Sequence, residues 1–489
     1  MGRVFICTAR LLLRECHLVT VGYDPRFPYR NELAMPVIGL EAEFQPFVDG
    51  KEVVPEELWK TPEAFIDVPL LKRTNKSSQL PTGGAVYFDG GVIEVVTPVI
   101  EIAPQCTARA VRSLWEQVGF VRDHLDKWER RAGRRIALRA FSCHTNISFE
   151  LPREERSSDR TIQKLAVLLV HLLPVPVIVA GANRRSTGIG VRPRRDRIEI
   201  TLDFTPDPGL MAATTALIVG IAREVISWPS YRLEELDGRQ VPQLAELHPG
   251  KHATRKGWVA KDYHFPTSPF TGDIDAPDWK LRGGGIASLR DVALAIAMAF
   301  RDSIRTLADP FSYRLLFSVL RGETPSLLDL ADRPAAYDDV GRATRWGSVL
   351  PELENFAGLM QDSDELRAHV AAREARRAEL ADEVEPRRRR RDLEEKLAPP
   401  WSGEQTERRT RARRYADRRA SADPAPSPRL ARSAYEQVFL NLGSRKQIRL
   451  DGELLTPVAV RGWYHSVFRA ANGEERMFSI DQLLEGAWV

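Results

Sequence analysis

This 489-residue chain has no uninterrupted apolar run near the roughly 20 residues that a bilayer-spanning helix needs. Its longest candidates are Leu165 to Ala180, broken by Pro174 and Pro176, and Met211 to Ile226. The expectation is a protein that does not span a membrane. Cysteine is scarce. Cys7, Cys16, Cys106 and Cys143 form no CxxC pair, which argues against a disulfide frame and a thiolate zinc site. The first residues lack the continuous apolar core of a secretory signal, because Arg3, Arg10 and Arg14 interrupt Met1 to Val21. Ile6 stands where a myristoylation signal needs Ser or Thr, so the expected location is cytoplasmic. No internal repeat is found.

What the chain does have is 43% apolar residues, ample for a large core and for two or three domains. The net charge of +4 is spread unevenly, with arginine crowded between Arg367 and Arg432. Pro386 and the unbroken run Arg387 to Arg391 are followed by Pro399, Pro400, Pro424, Pro426 and Pro428, the composition of a linker. The expected organisation is an N-terminal extension over 1–35, a catalytic domain over 36–365, an Arg/Pro-rich linker over 366–432 and a small β-rich module over 433–489.

Within the catalytic domain, short β-rich runs alternate with helical ones. Strands are expected at Val37 to Phe47, at both sides of the Asp89-Gly90-Gly91 turn within Gly84 to Val99, at Ile136 to Phe149 and at Arg197 to Phe204. Helices are expected at Thr107 to Arg131, Asp159 to Leu173, Pro208 to Val225, Ser288 to Leu307, Leu350 to Met360 and Asp364 to Glu385. The stretch Leu247 to Gly285 reads as loops bordering a site. In the last module, Gln447 to Leu450, Pro457 to Val467 and Arg476 to Ser479 read as strands, with a short closing helix at Asp481 to Glu485.

Four segments place an acid or a histidine on a strand. In Gly39-Leu40-Glu41-Ala42-Glu43-Phe44, alternation turns Glu41 and Glu43 to one face, where two carboxylates repel unless a cation lies between them. Glu94 is embedded in the apolar run Val92 to Val96 and needs a partner. His144, Asn146 and Ser148 share a face of Cys143 to Ser148. Arg197, Glu199, Thr201 and Asp203 share another, preceded by the basic cluster Arg192, Arg194 and Arg195, a group suited to phosphates. Each segment alone also suits a bland reading: a solvated edge, a hydrogen-bonded core histidine or a charged turn. Together they describe an open sheet that gathers hard oxygen ligands and one imidazole, a set suited to magnesium or manganese with phosphates.

The order and spacing of these segments resemble the carboxylate-amine ligase superfamily, which includes glutamine synthetase, the glutamate-cysteine ligases, the amidoligases, and the ligase and deamidase of the prokaryotic ubiquitin-like protein Pup. GLEAEF is similar to its opening G-x-E-x-E strand, and GGAVYFDGGVIEVVTP resembles a segment ending in Glu-x-x-Thr-Pro. His144 with Asn146 is similar to the H-x-N strand, and Ile198 to Asp203 to the late Glu-x-Arg strand. The resemblance implies an α+β, glutamine synthetase-like catalytic domain with an open, mostly antiparallel sheet and flanking helices. It implies ATP and Mg2+ or Mn2+ as cofactors, with Glu43 and Glu94 on one metal and Glu41, His144 and Glu199 on another. Arg192, Arg194, Arg195, Arg197 and Lys256 become candidates for the nucleotide phosphates, and Arg197 and Arg255 for catalysis. Thr201 departs from the pattern, standing where relatives carry the arginine of Glu-x-Arg.

The implied activity is ATP-dependent formation of an amide bond between a carboxylate and an amine, through an acyl phosphate. The amine or acid could belong to a small molecule, a peptide or a protein tail, and oligomeric state is not encoded legibly. Two alternatives remain open at this point. One is nucleotide-dependent amide or isopeptide hydrolysis on the same fold. The other is an inactive adaptor binding nucleic acid or protein through the arginines between 387 and 414, although only Trp401 and Tyr415 lie near them to stack on bases.

Overall fold

The computed structural model describes residue 33 and residues 35–328 and 432–489, apart from 74–76, 152–154, 185, 187, 206, 253–256 and 262–263. Most of the expected N-terminal extension, the linker up to residue 431, the helices expected at Leu350 to Met360 and Asp364 to Glu385, and both Arg255 and Lys256 lie outside the described residues.

In chain order the principal elements are β1 (Val37–Val48), β2 (Leu71–Arg73), β3 (Ala85–Asp89), β4 (Val92–Val96), α1 (Cys106–Ala132), β5 (Ile136–Ser148), α2 (Ile162–Leu172), α3 (Pro174–Gly181), β6 (Ile189–Pro193), β7 (Arg197–Leu202) and α4 (Pro208–Ile226). They continue with β8 (Trp258–Ala260), α5 (Leu289–Ala299), α6 (Arg301–Leu307), α7 (Pro310–Arg321), α8 (Ala434–Gly443), β9 (Ile448–Leu450), β10 (Glu453–Arg461), β11 (His465–Arg469), β12 (Glu475–Ser479) and α9 (Ile480–Leu483). The chain is α+β, as expected.

The central sheet runs β3, β4, β1, β5, β7, β6, β8, every neighbouring pair antiparallel. β1 lies in the middle of the sheet, and its alternation suits a strand with one face on the core and one polar face. Ile38, Leu40, Ala42 and Phe44 are buried against helices, while Glu41 and Glu43 turn to the other side. The helix layer is held by aromatic edges: Phe204 meets Phe44 at 5.1 Å and Trp115 at 5.5 Å between ring centroids. Trp115 belongs to the stripe Val111, Leu114, Trp115, Val118 and Val121 on α1, all buried as the helical spacing predicts.

α4 begins where Asp207 caps the Leu210 amide and Pro208 takes the first helical position. It is long and apolar enough to cross a bilayer, yet almost all of it is buried inside the protein. One expected helix starts later than its pattern, and another is found in two pieces. Asp159 to Leu173 begins instead at Ile162, capped by Thr161, and gives way at Leu173 to the separate helix α3, which Pro174 starts. Ser288 to Leu307 breaks at Phe300, whose φ of −108° and ψ of 13° lie outside the helical well, and α6 then packs along α4.

The C-terminal segment is built into the same compact unit as the central sheet. α8 opens with a capping box between Ser433 and Glu436. The fully buried Glu436 carboxylate accepts from Arg112 of α1 at 3.1 Å. At the other end of α8, a Cβ on Gly443 would overlap the Leu80 carbonyl oxygen, so only glycine lets the helix approach the strand pair below. β10 runs parallel beside β2, pairing Ala459 with Lys72 and Val460 with Arg73. A second core follows from this docking, joining Val37, Leu71 and Val99 to Tyr435, Phe439, Leu442, Phe468 and Ile480. The expected single run Pro457 to Val467 is in fact a hairpin. It turns through Gly462, Trp463 and Tyr464, with Gly462 at a φ of +66°.

Candidate functional site

Register places the charged residues in rows across the sheet face opposite the helices. One row reads Tyr87, Glu94, Glu43, Ser142 along β3, β4, β1 and β5. The next sets Glu41 beside His144 and His144 beside Thr201. A third sets Gly39 beside Asn146, Asn146 beside Glu199 and Glu199 beside Arg192. The sequence therefore brings nine of its eleven named site residues to one region of one sheet; Arg255 and Lys256 are not described.

At the centre, one ligand atom each from Glu41, Glu94 and His144 lie within 4.8 Å of one another. His144 Nδ1 is 3.0 Å from Glu41 Oε2, and His144 Nε2 is 3.7 Å from Glu43 Oε1. Ser142 donates to Glu43 at 2.6 Å, and the Tyr87 hydroxyl donates to Glu94. The charges settle unequally. Burial works to raise the Glu41 carboxyl, but the His144 hydrogen bond and the charges of His144 and Arg197 win and hold it below the ordinary range. Glu94 goes the other way, pushed well up by burial and by the Glu41 carboxylate, with Glu43 adding to both. His144 is raised: burial opposes its charge, and the bond and charge of Glu41 outweigh burial.

Such a set fits a divalent cation. A buried and a half-buried carboxylate that resist ionising together do so once a positive ion sits between them, and two oxygens with one imidazole suit manganese or magnesium. The grouping cuts across the two ligand sets implied by the resemblance, since it joins Glu41 and His144 to Glu94. Glu43 stands beside it, tied to Ser142. Glu199 is buried at 1% exposure and ion-paired with Arg192 and Arg194, accepting from Arg194 Nε at 2.6 Å.

The arginines divide by place. Arg192 is buried and donates to Thr201 Oγ1 at 3.0 Å, with Nη2 also 3.4 Å from His144 Nε2. A guanidinium thus lies beside Thr201 although position 201 itself carries none. Arg194 is half-buried and Arg195 exposed at the rim. Arg197 donates to Asn146 Oδ1 at 2.8 Å and to Asp196 at 3.2 Å. The other side of that amide, Asn146 Nδ2, is buried without a hydrogen-bond partner, a donor that an anionic ligand would satisfy.

Three lining residues escaped the sequence reading. Tyr87 was legible in principle, because a hairpin turning at Gly90-Gly91 sets it opposite Glu94. Ser142 shares the His144 face by alternation. Trp463 was not legible: its ring sits over Gly39, 3.1 Å from where a Cβ would be, across more than four hundred positions of chain.

No protein-family model and no curated protein sequence matches this chain. Among solved structures, it is similar to the crystal structure of the complex between the prokaryotic ubiquitin-like protein Pup and its ligase PafA, at 10% identity and a TM-score of 0.42, covering 92% of each chain. It is also similar to the Pup ligase PafA in complex with ADP, at 11% identity and a TM-score of 0.35, covering 85% of this chain and 90% of that one.

Proposed function

We propose that the protein is an ATP-dependent carbon–nitrogen ligase, joining a carboxylate to an amine through an acyl phosphate. The observation that carries this reading is the convergence of Glu41, Glu94 and His144 on one face, with Arg192, Arg194 and Arg197 beside them. Acids to hold a cation and guanidiniums to meet phosphate oxygens are the two halves of a phosphoryl-transfer site.

In this reading Glu41, Glu94 and His144 hold Mg2+ or Mn2+, and Glu43 stands next to them as a further oxygen donor. A divalent cation bound there supplies positive charge for the phosphate oxygens, and ATP supplies the phosphoryl group that activates the carboxylate. Tyr87 and Ser142 fix the Glu94 and Glu43 carboxylates through their hydroxyls. Glu199 pairs with Arg192 and Arg194, whose guanidiniums would meet the phosphates. Arg197 presents its charge on the same face and Arg195 extends the cationic rim, while Arg255 and Lys256 remain candidates for holding an anionic group on sequence grounds alone. The acid or amine partner is a small molecule, a peptide or a protein tail.

The test is release of ADP over a matrix of carboxylates, amino acids and peptide tails, with magnesium and with chelator. Turnover that needs one acid, one amine and the metal together supports the ligase. Calorimetry showing equal ATP affinity with and without divalent cation would sink the shared-metal site.

A further inference from the structure

The hairpin between β10 and β11 reaches the candidate site, where Trp463 meets Arg197 directly and Tyr464 reaches it through Asp196. The Trp463 ring lies under the Arg197 guanidinium, 4.9 Å from ring centroid to the central carbon. The Tyr464 hydroxyl donates to Asp196 Oδ2 at 2.7 Å, and Asp196 Oδ1 accepts from Arg197 Nη1 at 3.2 Å. The turn is itself tied down, since Arg73 Nη2 reaches the Gly462 carbonyl at 3.5 Å. Space for the indole exists because position 39 is glycine: any Cβ there would press on Trp463 Cζ2.

We infer that Trp463 and Tyr464 are positioning residues, which hold Arg197 in place over the acidic face so that the C-terminal segment completes the site. The physical argument is one of freedom removed. An arginine head has many rotamers, and each fixed contact lowers the entropy it loses on meeting an anion. Arg197 is fixed through Nε by Asn146, through Nη1 by Asp196 and through its flat face by Trp463. Nη2 takes part in none of these bonds and is left to donate. The group it would meet is anionic: the phosphates of a nucleotide, which also satisfy the orphaned Asn146 Nδ2 alongside. Neither tip residue touches the acidic cluster, so their effect passes through Arg197.

This assignment rests on the nucleotide reading above, and the experiment separates the two. Calorimetry with magnesium ATP is run on the full chain and on Trp463→Leu, Trp463→Phe, Arg197→Ala and the Trp463→Leu/Arg197→Ala double variant, with thermal unfolding of each. The Leu variant is expected to bind at least tenfold more weakly. The Phe variant keeps an aromatic face and is expected within threefold of the parent. The double variant is expected to bind no more weakly than Arg197→Ala alone, because a residue acting through Arg197 has nothing left to act on. Additive losses in the double variant, unchanged binding in the Leu variant, or equal losses in Leu and Phe would overturn the positioning role while leaving the ligase reading standing. A parent chain that does not bind magnesium ATP would overturn both.

Discussion

Glu94 is the residue whose substitution tests the candidate site most sharply, because its two expected states predict opposite results from one change. Without a cation, burial and the neighbouring Glu41 and Glu43 carboxylates favour the neutral acid. Glutamine is nearly isosteric with that acid and keeps an oxygen for the Tyr87 hydroxyl. Glu94→Gln should therefore leave metal-free stability within about 1 kcal/mol of the parent, since no cavity opens and no buried partner is stranded. With a cation, the variant loses one of three charged or nitrogen ligands. A loss of about 4 kcal/mol of transition-state stabilisation follows, on the order of a thousandfold in turnover. The assay pairs ADP release with thermal unfolding, each with and without magnesium. Magnesium should raise the parent's midpoint by mass action and leave the variant's almost unmoved. Turnover within about threefold of the parent, together with a full magnesium shift, would remove Glu94 from the site.

Other consequences can be checked independently of catalysis. Glu436→Ala removes the buried carboxylate shared by Arg112 and Arg432 and breaks the Ser433 capping box, so unfolding should become easier by about 2–3 kcal/mol, measured in urea. Gly443→Ala forces α8 away from the Leu80 carbonyl and should cost about 3 kcal/mol, read as a lowered thermal midpoint. Acid should weaken the fold through His171. In His171, burial first and then the charges of Arg282 and His248 hold the imidazole below its ordinary 6.5, so the unfolded chain binds the extra proton. Its contribution is full above pH 6.5 and is lost as pH falls through the folded value. The midpoint should drop on acidification below 6.5, and His171→Gln should flatten that slope.

Much of the fold was legible because period and burial agree locally. The two-residue alternation of β1 and the helical stripe of α1 each state their own geometry, and the structure follows both. The rows of the site were legible for the same reason: once strands are recognised, alternation decides which side chains share a face. Distances between strands were not legible. Nothing in sequence says that β4 lies beside β1 in a register that sets Glu94 opposite Glu43, and so the grouping of Glu41 with Glu94 and His144 appears only in three dimensions. Phe300 shows a second limit, since the apolar pattern continues across this position although the helix does not. Trp463 shows a third. A glycine vacated for a ring from a distant hairpin leaves no local trace, and Gly39 reads from sequence only as part of a strand.

The parallel seam between β2 and β10 has a consequence for how the polypeptide can be divided. Among the described residues, the contacts that hold α8 and the last strands in place, from the seam to the Arg112 pair and the shared core around Phe439, join residues before 329 to residues after 431. A backbone cut anywhere between those positions severs none of these contacts. The protein should therefore behave as a natural split pair: two separately expressed fragments, 1–328 and 432–489, reassociate into one particle, and neither carries the complete Arg197 environment alone. Co-elution of the fragments on a sizing column would show it, and a short fragment that elutes alone at micromolar concentration would refute it.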